Sequence, residues 1–271
     1  MGTDALLSAV PGAASGSGIV VAVVGAGGKT SVMFRLAEEA RAAGRRVLVA
    51  TTTRIWDPRD QGRRMDAFLE DGRWALPWSA TAPLPEPPDT AGGGWLAVAS
   101  AGSEGGKLVS VDPSVLCAAR AYWDLLVIEA DGARGRSIKA PADHEPVVPC
   151  CSDSVLALVG MDALGEPLDD AIAFRPELIA QRGGGTLAGP VRACLLVALA
   201  AHPEGLFKGT PSGADRIVVL NKLDAADLAS ARELATALLD SGAVDRVVAG
   251  SFGAGRAGRP ELVQNATHPL R

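Results

Sequence analysis

The run Ile19-Val20-Val21-Ala22-Val23-Val24-Gly25-Ala26-Gly27-Gly28-Lys29-Thr30-Ser31 decides the fold. An unbroken apolar stretch that ends on glycine reads as a strand buried on both faces, as in a parallel sheet. Helical spacing follows at once, with Met33, Leu36, Ala37 and Ala40 on one stripe and Gly44 as the stop. A strand, a glycine turn, then Lys-Thr opening a helix is the context of a phosphate-binding loop. Glycines let backbone N–H groups approach phosphate oxygens, and the helix N-terminus adds unpaired donors and partial positive charge. Gly25, Ala26, Gly27, Gly28, Lys29, Thr30 and Ser31 are therefore the expected phosphate-binding set. Lys29 is expected to reach the β- and γ-phosphates, and Thr30 to ligate Mg²⁺.

The loop is contracted. The pattern GxxxxGK[ST] would place its first glycine at position 23, which is Val23. The shorter GxxGK[ST] form resembles the loop of Mur-type ATP-dependent ligases. Two other readings compete: a plain turn, and a dinucleotide-binding GxGxxG turn. The second is disfavoured by Thr30 at the third glycine position and by the lack of an acid about 20 residues on.

Outward from this loop, strands alternate with helices. Val47–Ala50, Trp95–Ala99, Leu125–Ala130, Val155–Val159, Ile217–Leu220 and Val244–Ala249 read as strands. Pro113–Ala121, Arg192–Ala201 and Ala226–Leu239 read as helices. That alternation predicts an α/β fold of P-loop NTPase type, a mostly parallel sheet with helices on both faces. Residues 1–17, small and polar, are expected to be a flexible N-terminus. Residues 18–271 are expected to form a single domain with an irregular insertion at about 54–93. There Trp56, Trp74 and Trp78 would pack a small subdomain or cover a cleft.

The strand from Leu125 delivers Glu129 and Asp131 to the edge of the sheet where ligands bind in open α/β folds. Two residues apart on an extended chain, both carboxylates face one way. Either is expected to hold Mg²⁺ or to orient a water. The loop Gly132–Pro149 concentrates Arg134, Arg136, Lys139 and His144 beside this site. Arg134 and Lys139 are the candidates for neutralising charge in phosphoryl transfer. Glu145 is a candidate to fix the His144 ring or to add a metal ligand. The strand ending at Leu220 runs into Asn221-Lys222-Leu223-Asp224, which resembles the NKxD motif of GTP-binding proteins. There the Asp accepts two hydrogen bonds from the guanine edge, which adenine cannot offer. A turn that caps the next helix near Asp227 is the plainer reading.

Composition bounds the rest. The net charge of −5 over 271 residues argues against a general nucleic-acid binder. No apolar run is long enough to span a bilayer. Cys117, Cys150, Cys151 and Cys194 form no CxxC pair, so reduced thiols in a cytoplasm are expected, with the adjacent pair as small buried hydrophobes.

Taken together, VVGAGGKTS, VLVATTTRIW, VIEADGARGRSIKAPADHEPVVP, FRPE and VVLNKLD resemble the YqeC family. The resemblance runs from about Ile19 to Phe252 and leaves out 54–93. It implies an accessory protein of selenium-dependent molybdenum hydroxylases, with the hydroxylase or a molybdenum cofactor precursor as partner. The order P-loop, Glu129-x-x-Gly132, NKxD is also similar to nucleotide-driven metallochaperones. Three functions follow as expectations. The first is a Mg²⁺-dependent NTPase using GTP or ATP for maturation. The second is a Mur-like ligase or transferase. The third is a nucleotide-dependent switch or carrier that docks on a client.

Overall fold

The computed structural model describes residues 5–63, 65–69, 94–253 and 260–265. Along the chain the strands are β1 Ile19–Gly25, β2 Arg46–Thr51, β3 Ile55–Trp56, β4 Ala67–Leu69, β5 Trp95–Ala99, β6 Ser103–Glu104, β7 Lys107–Leu108, β8 Leu125–Glu129, β9 Ile138–Lys139, β10 Ser154–Gly160, β11 Ala173–Phe174, β12 Asp215–Asn221, β13 Arg246–Gly250 and β14 Pro260–Asn265. The helices are α1 Ala5–Ala9, α2 Lys29–Ala42, α3 Pro113–Ala119, α4 Pro176–Gly183, α5 Ala193–Ala201 and α6 Leu228–Asp240.

Among the described residues the main sheet has nine strands in the order β14-β13-β12-β10-β1-β8-β2-β5-β4. Every pairing is parallel except β13 with β14. The α/β expectation is met, and the long apolar runs are the central strands. β1 divides the sheet: β2, β4, β5 and β8 lie on one side of it, and β10, β12, β13 and β14 on the other. In such sheets a crevice opens at the C-terminal ends of the strands where the winding reverses. Gly25, Glu129, Gly160 and Asn221 all end strands at that edge.

Alternating side chains of each strand feed opposite faces. Val21 and Val23 pack with α1 and α2. Ala22 and Val24 pack with Leu195, Leu199, Leu234 and Leu238 of α5 and α6. A third cluster joins Leu48, Leu126, Leu116 and Trp123 under α3. Burial of a Leu or Val side chain contributes about 1.5–3 kcal/mol, so these layers rather than local propensity fix the fold.

Four differences from the sequence reading have physical reasons. Residues from Ala5 onward do not fray: Leu6, Leu7, Val10 and Ala13 are buried in the α2 layer, and the Leu7 N–H donates to Glu39 Oε2 at 3.0 Å. Residues 54–93 are not wholly irregular, since β3 and β4 fall within them. Trp56 is exposed at 59%, while Trp74 and Trp78 lie outside the described residues. The thiols are not all reduced: Cys117 of α3 is bonded to Cys151, ahead of β10, and Cys150 is exposed rather than buried. No helix among the described residues is long and apolar enough to cross a membrane.

Candidate functional site

The glycine loop follows directly from β1. Gly25, Gly27 and Gly28 have φ of 88°, 95° and 107°, a region open to glycine and strained for other residues. Their lack of side chains serves packing first. A Cβ on Gly25 would lie 2.5 Å from the Leu158 carbonyl oxygen, and one on Gly27 2.5 Å from the Gly160 nitrogen. The loop is thus pressed onto the end of β10.

Its backbone donors divide into two groups. The Gly25 N–H donates to Asp131 Oδ2 at 3.1 Å, Ala26 N–H to the Leu158 carbonyl at 3.0 Å, and Gly27 N–H to the Arg136 carbonyl at 2.9 Å. No protein acceptor among the described residues takes the N–H groups of Gly28, Lys29, Thr30 or Ser31, the cap and first turn of α2. Among the described residues, the amides of Gly25–Ser31 that have no protein acceptor therefore lie in the second half of the loop.

Lys29, Glu129 and Asp131 meet as the sequence spacing implies. Lys29 Nζ donates to the Gly25 carbonyl at 2.8 Å and lies 3.2 Å from Asp131 and 3.7 Å from Glu129. All three side chains are buried. Burial alone would lower the Lys29 pKa, but the Asp131 and Glu129 carboxylates outweigh it and hold the ammonium above its ordinary value. For Glu129 burial wins over the Lys29 charge, and its pKa is raised.

The two acids then take different partners. Glu129 Oε2 accepts from Thr30 Oγ1 at 2.9 Å. Asp131 is shared by the Gly25 amide, Lys29 and Lys139, the last at 3.0 Å. Lys139, chosen from sequence as a transition-state cation, is only 1% exposed. It also donates to the Gly132 carbonyl at 2.6 Å and to Glu145 at 2.7 Å. A lysine enclosed in this way is a fixed counter-charge within the protein. Glu145 reaches Arg175 as well as Lys139, and not His144, which is exposed. Burial would raise the Glu145 pKa, but Lys139 and Arg175 together lower it. Arg134 stays exposed, its guanidinium 5.2 Å over the Phe174 ring.

At the end of β2, Thr51 donates to the Glu129 carbonyl at 3.0 Å and Thr52 to the Val147 carbonyl at 2.7 Å. Both hydroxyl protons are thereby committed to the backbone.

The Asn221-Lys222-Leu223-Asp224 segment comes to the same edge. Buried Asn221 donates from Nδ2 to the Gly27 carbonyl at 2.7 Å and accepts the Phe252 N–H on Oδ1 at 2.9 Å. Lys222, in the left-handed region at φ 61°, reaches Ser137 Oγ at 2.8 Å and Asp162 Oδ2 at 2.7 Å. Asp224 is exposed at the rim. Its N–H donates to Ser251 Oγ at 2.9 Å, and Ser251 Oγ donates to Asp224 Oδ1 at 2.6 Å. Asp227 caps α6 by accepting the Ser230 N–H at 2.7 Å, so the helix-cap reading belongs to Asp227.

Sequence reasoning missed Ser251, Asp162 and Ser137. Asp162 bears a signal like that of Glu129, an acid close after an apolar run. Ser251 stands just after β13, the strand beside the one that carries Asn221. Ser137 had no signal.

Comparisons with known proteins agree with the resemblance stated above. The family model described as YqeC protein matches residues 21–177. A protein of Escherichia coli (strain K12) described as uncharacterized protein YqeC is 35% identical over 215 residues, which cover 79% of each chain. No solved structure matches the chain.

Proposed function

The chain belongs to the YqeC family, and on that premise we propose a Mg²⁺-dependent P-loop nucleotide-binding protein, a GTPase that assists maturation of a selenium-dependent molybdenum hydroxylase or its molybdenum cofactor. One observation carries the nucleotide reading: Asn221 bonds the Gly27 carbonyl, so the NKxD-like segment lies against the glycine loop, as two walls of one nucleotide site would. The setting in hydroxylase maturation follows from the family resemblance.

The N–H groups of Gly28 to Ser31 and the α2 terminus receive the phosphate oxygens. Lys29 turns its ammonium from the Gly25 carbonyl to the β- and γ-phosphates. Thr30 and Glu129 are the pair that would hold Mg²⁺, a hydroxyl and a carboxylate being the hard oxygen donors the ion takes. Bound there, the ion would supply charge neutralisation for phosphoryl transfer. Asp131 is a positioning residue that aims Lys29. Asp224, oriented by Ser251, accepts the two guanine donors. Arg134 faces outward beside the site and suits an anionic second substrate.

The contracted loop favours one other reading, group transfer to a second substrate through a phosphorylated intermediate. Phosphate release separates the two. With GTP and Mg²⁺ alone, the GTPase releases phosphate, whereas a ligase or transferase does so only when its second substrate is added. Thermal unfolding tests binding itself: GTP with Mg²⁺ raises the midpoint and ATP raises it less. Equal shifts for the two nucleotides would remove the guanine assignment, and no shift with either would remove the nucleotide reading.

A further inference from the structure

Outside the nucleotide site, a cavity of ≈ 610 Å³ opens between α2 and the edge strand β4, lined in part by Arg41, Arg59, Arg63, Asp66 and Phe68. Its size suits a small organic molecule. Two of its arginines are balanced by acids: Arg59 is forked onto Asp57, and Arg41 lies 2.7 Å from Asp66. Arg63 differs. Among the described residues no carboxylate lies within salt-bridge distance of it; its guanidinium sits 5.4 Å over the Phe34 ring and donates to Ser31 Oγ at 3.3 Å. Arg59 lies 3.7 Å over the Phe68 ring. A guanidinium laid on an aromatic face keeps its N–H edge for a carboxylate or phosphoryl group, which it binds in a fork; Arg59 has committed that edge to Asp57, and Arg63 has not committed it to a carboxylate among the described residues.

We propose that this cleft binds a small organic phosphate monoester, with Arg63 as its principal anchor. The site has a built-in link to the first turn of α2, because Arg63 holds Ser31. A bound oxyanion draws the guanidinium toward itself and cancels its charge near the N-terminal amides. Cleft ligand and nucleotide should therefore weaken each other, reciprocally. Only this coupling rests on the nucleotide reading above; the cleft stands on its own geometry.

Phenyl phosphate, with phenol as the uncharged control, is the probe, and calorimetric titration of the full chain is the measurement. Wild type is expected to bind phenyl phosphate saturably and phenol not at all. Arg63→Gln, a change at a partly exposed side chain, should bind it at least about tenfold more weakly while keeping the wild-type melting point. GTP should bind phenyl-phosphate-loaded wild type more weakly without expelling the ligand, and that effect should vanish in Arg63→Gln. Unchanged affinity in Arg63→Gln, or no saturable binding at millimolar concentration, overturns the cleft. Full competitive displacement by GTP also overturns it, by placing the phosphate at the α2 terminus. A chain that binds phenyl phosphate through Arg63 but no nucleotide keeps this site and loses the nucleotide reading.

Discussion

Thr30 Oγ1 and Glu129 Oε2 meet at 2.9 Å, joining the first turn of α2 to the last residue of β8. The contact brings a hydroxyl and a carboxylate oxygen together at the first turn of α2, the pair to which we assign Mg²⁺ in the proposed function. It also divides the work of two acids that the sequence presents as equivalent.

Substitution separates them. Burial raises the Glu129 pKa, so its contribution to stability is greatest at low pH and is lost as pH rises through the folded value. Glu129→Gln should therefore melt no lower than wild type at about pH 8, yet lose the Mg²⁺-dependent part of stabilisation by GTP. Thr30→Val should lose the same increment. Retention of full Mg²⁺ dependence in both variants would take the ion away from this pair.

Lys139 gives the opposite pattern. It is enclosed by Asp131, Glu145 and the Gly132 carbonyl. Lys139→Met leaves two buried carboxylates short of a partner and should cost about 3–5 kcal/mol in urea unfolding. Arg134→Ala, at an exposed position, should change stability by less than about 0.5 kcal/mol. Similar small losses in both would mean that Lys139 is not a fixed counter-charge.

The same ion network predicts an acid response. The Glu145 pKa is lowered from its ordinary 4.5 by Lys139 and Arg175 against the effect of burial. The stability it contributes is present above that ordinary value and is lost as pH falls through the lower folded value. Glu145→Gln should lower the melting point at neutral pH and flatten its fall on acidification. A variant whose melting point falls with acid as steeply as wild type would contradict this.

The covalent link between Cys117 and Cys151 closes a loop of 34 residues between α3 and β10. Reductant should lower stability by about 3–4 kcal/mol. Native alkylation should label Cys150 and Cys194 alone, and Cys117→Ser should abolish the response to reductant. Labelling of all four cysteines in the untreated native protein would contradict the link.

Much of the sheet was legible because a strand buried on both faces must be apolar throughout, as Ile19–Val24 and Val155–Val159 are. β4 and β14 lie at the two edges, where the apolar run shortens or breaks, and were not read. The N-terminal helix was missed because two leucines, Leu6 and Leu7, are too few for periodicity yet enough to bury against α2. In the site, the spacing puts Glu129 and Asp131 at one strand end, and both carboxylates lie against Lys29. It could not show that Lys139 turns inward, since charge type carries no direction. Nor could it show that Asp224 leans on Ser251, a contact across 27 residues between two strand ends. The disulfide escaped for the same reason, because partners on α3 and before β10 are adjacent only once the sheet has formed.

On the proposed function, one nucleotide lies between the first turn of α2 and Asp224. That placement is tested most directly by the affinities of wild type and Asp224→Asn for GTP and xanthosine triphosphate with Mg²⁺. Guanine offers two donors to a carboxylate, whereas xanthine replaces its amino group with a carbonyl that an amide can donate to. Wild type should prefer GTP, and Asp224→Asn should reverse the order by at least about tenfold in each direction. A variant that binds GTP as tightly as wild type would take the guanine base away from Asp224.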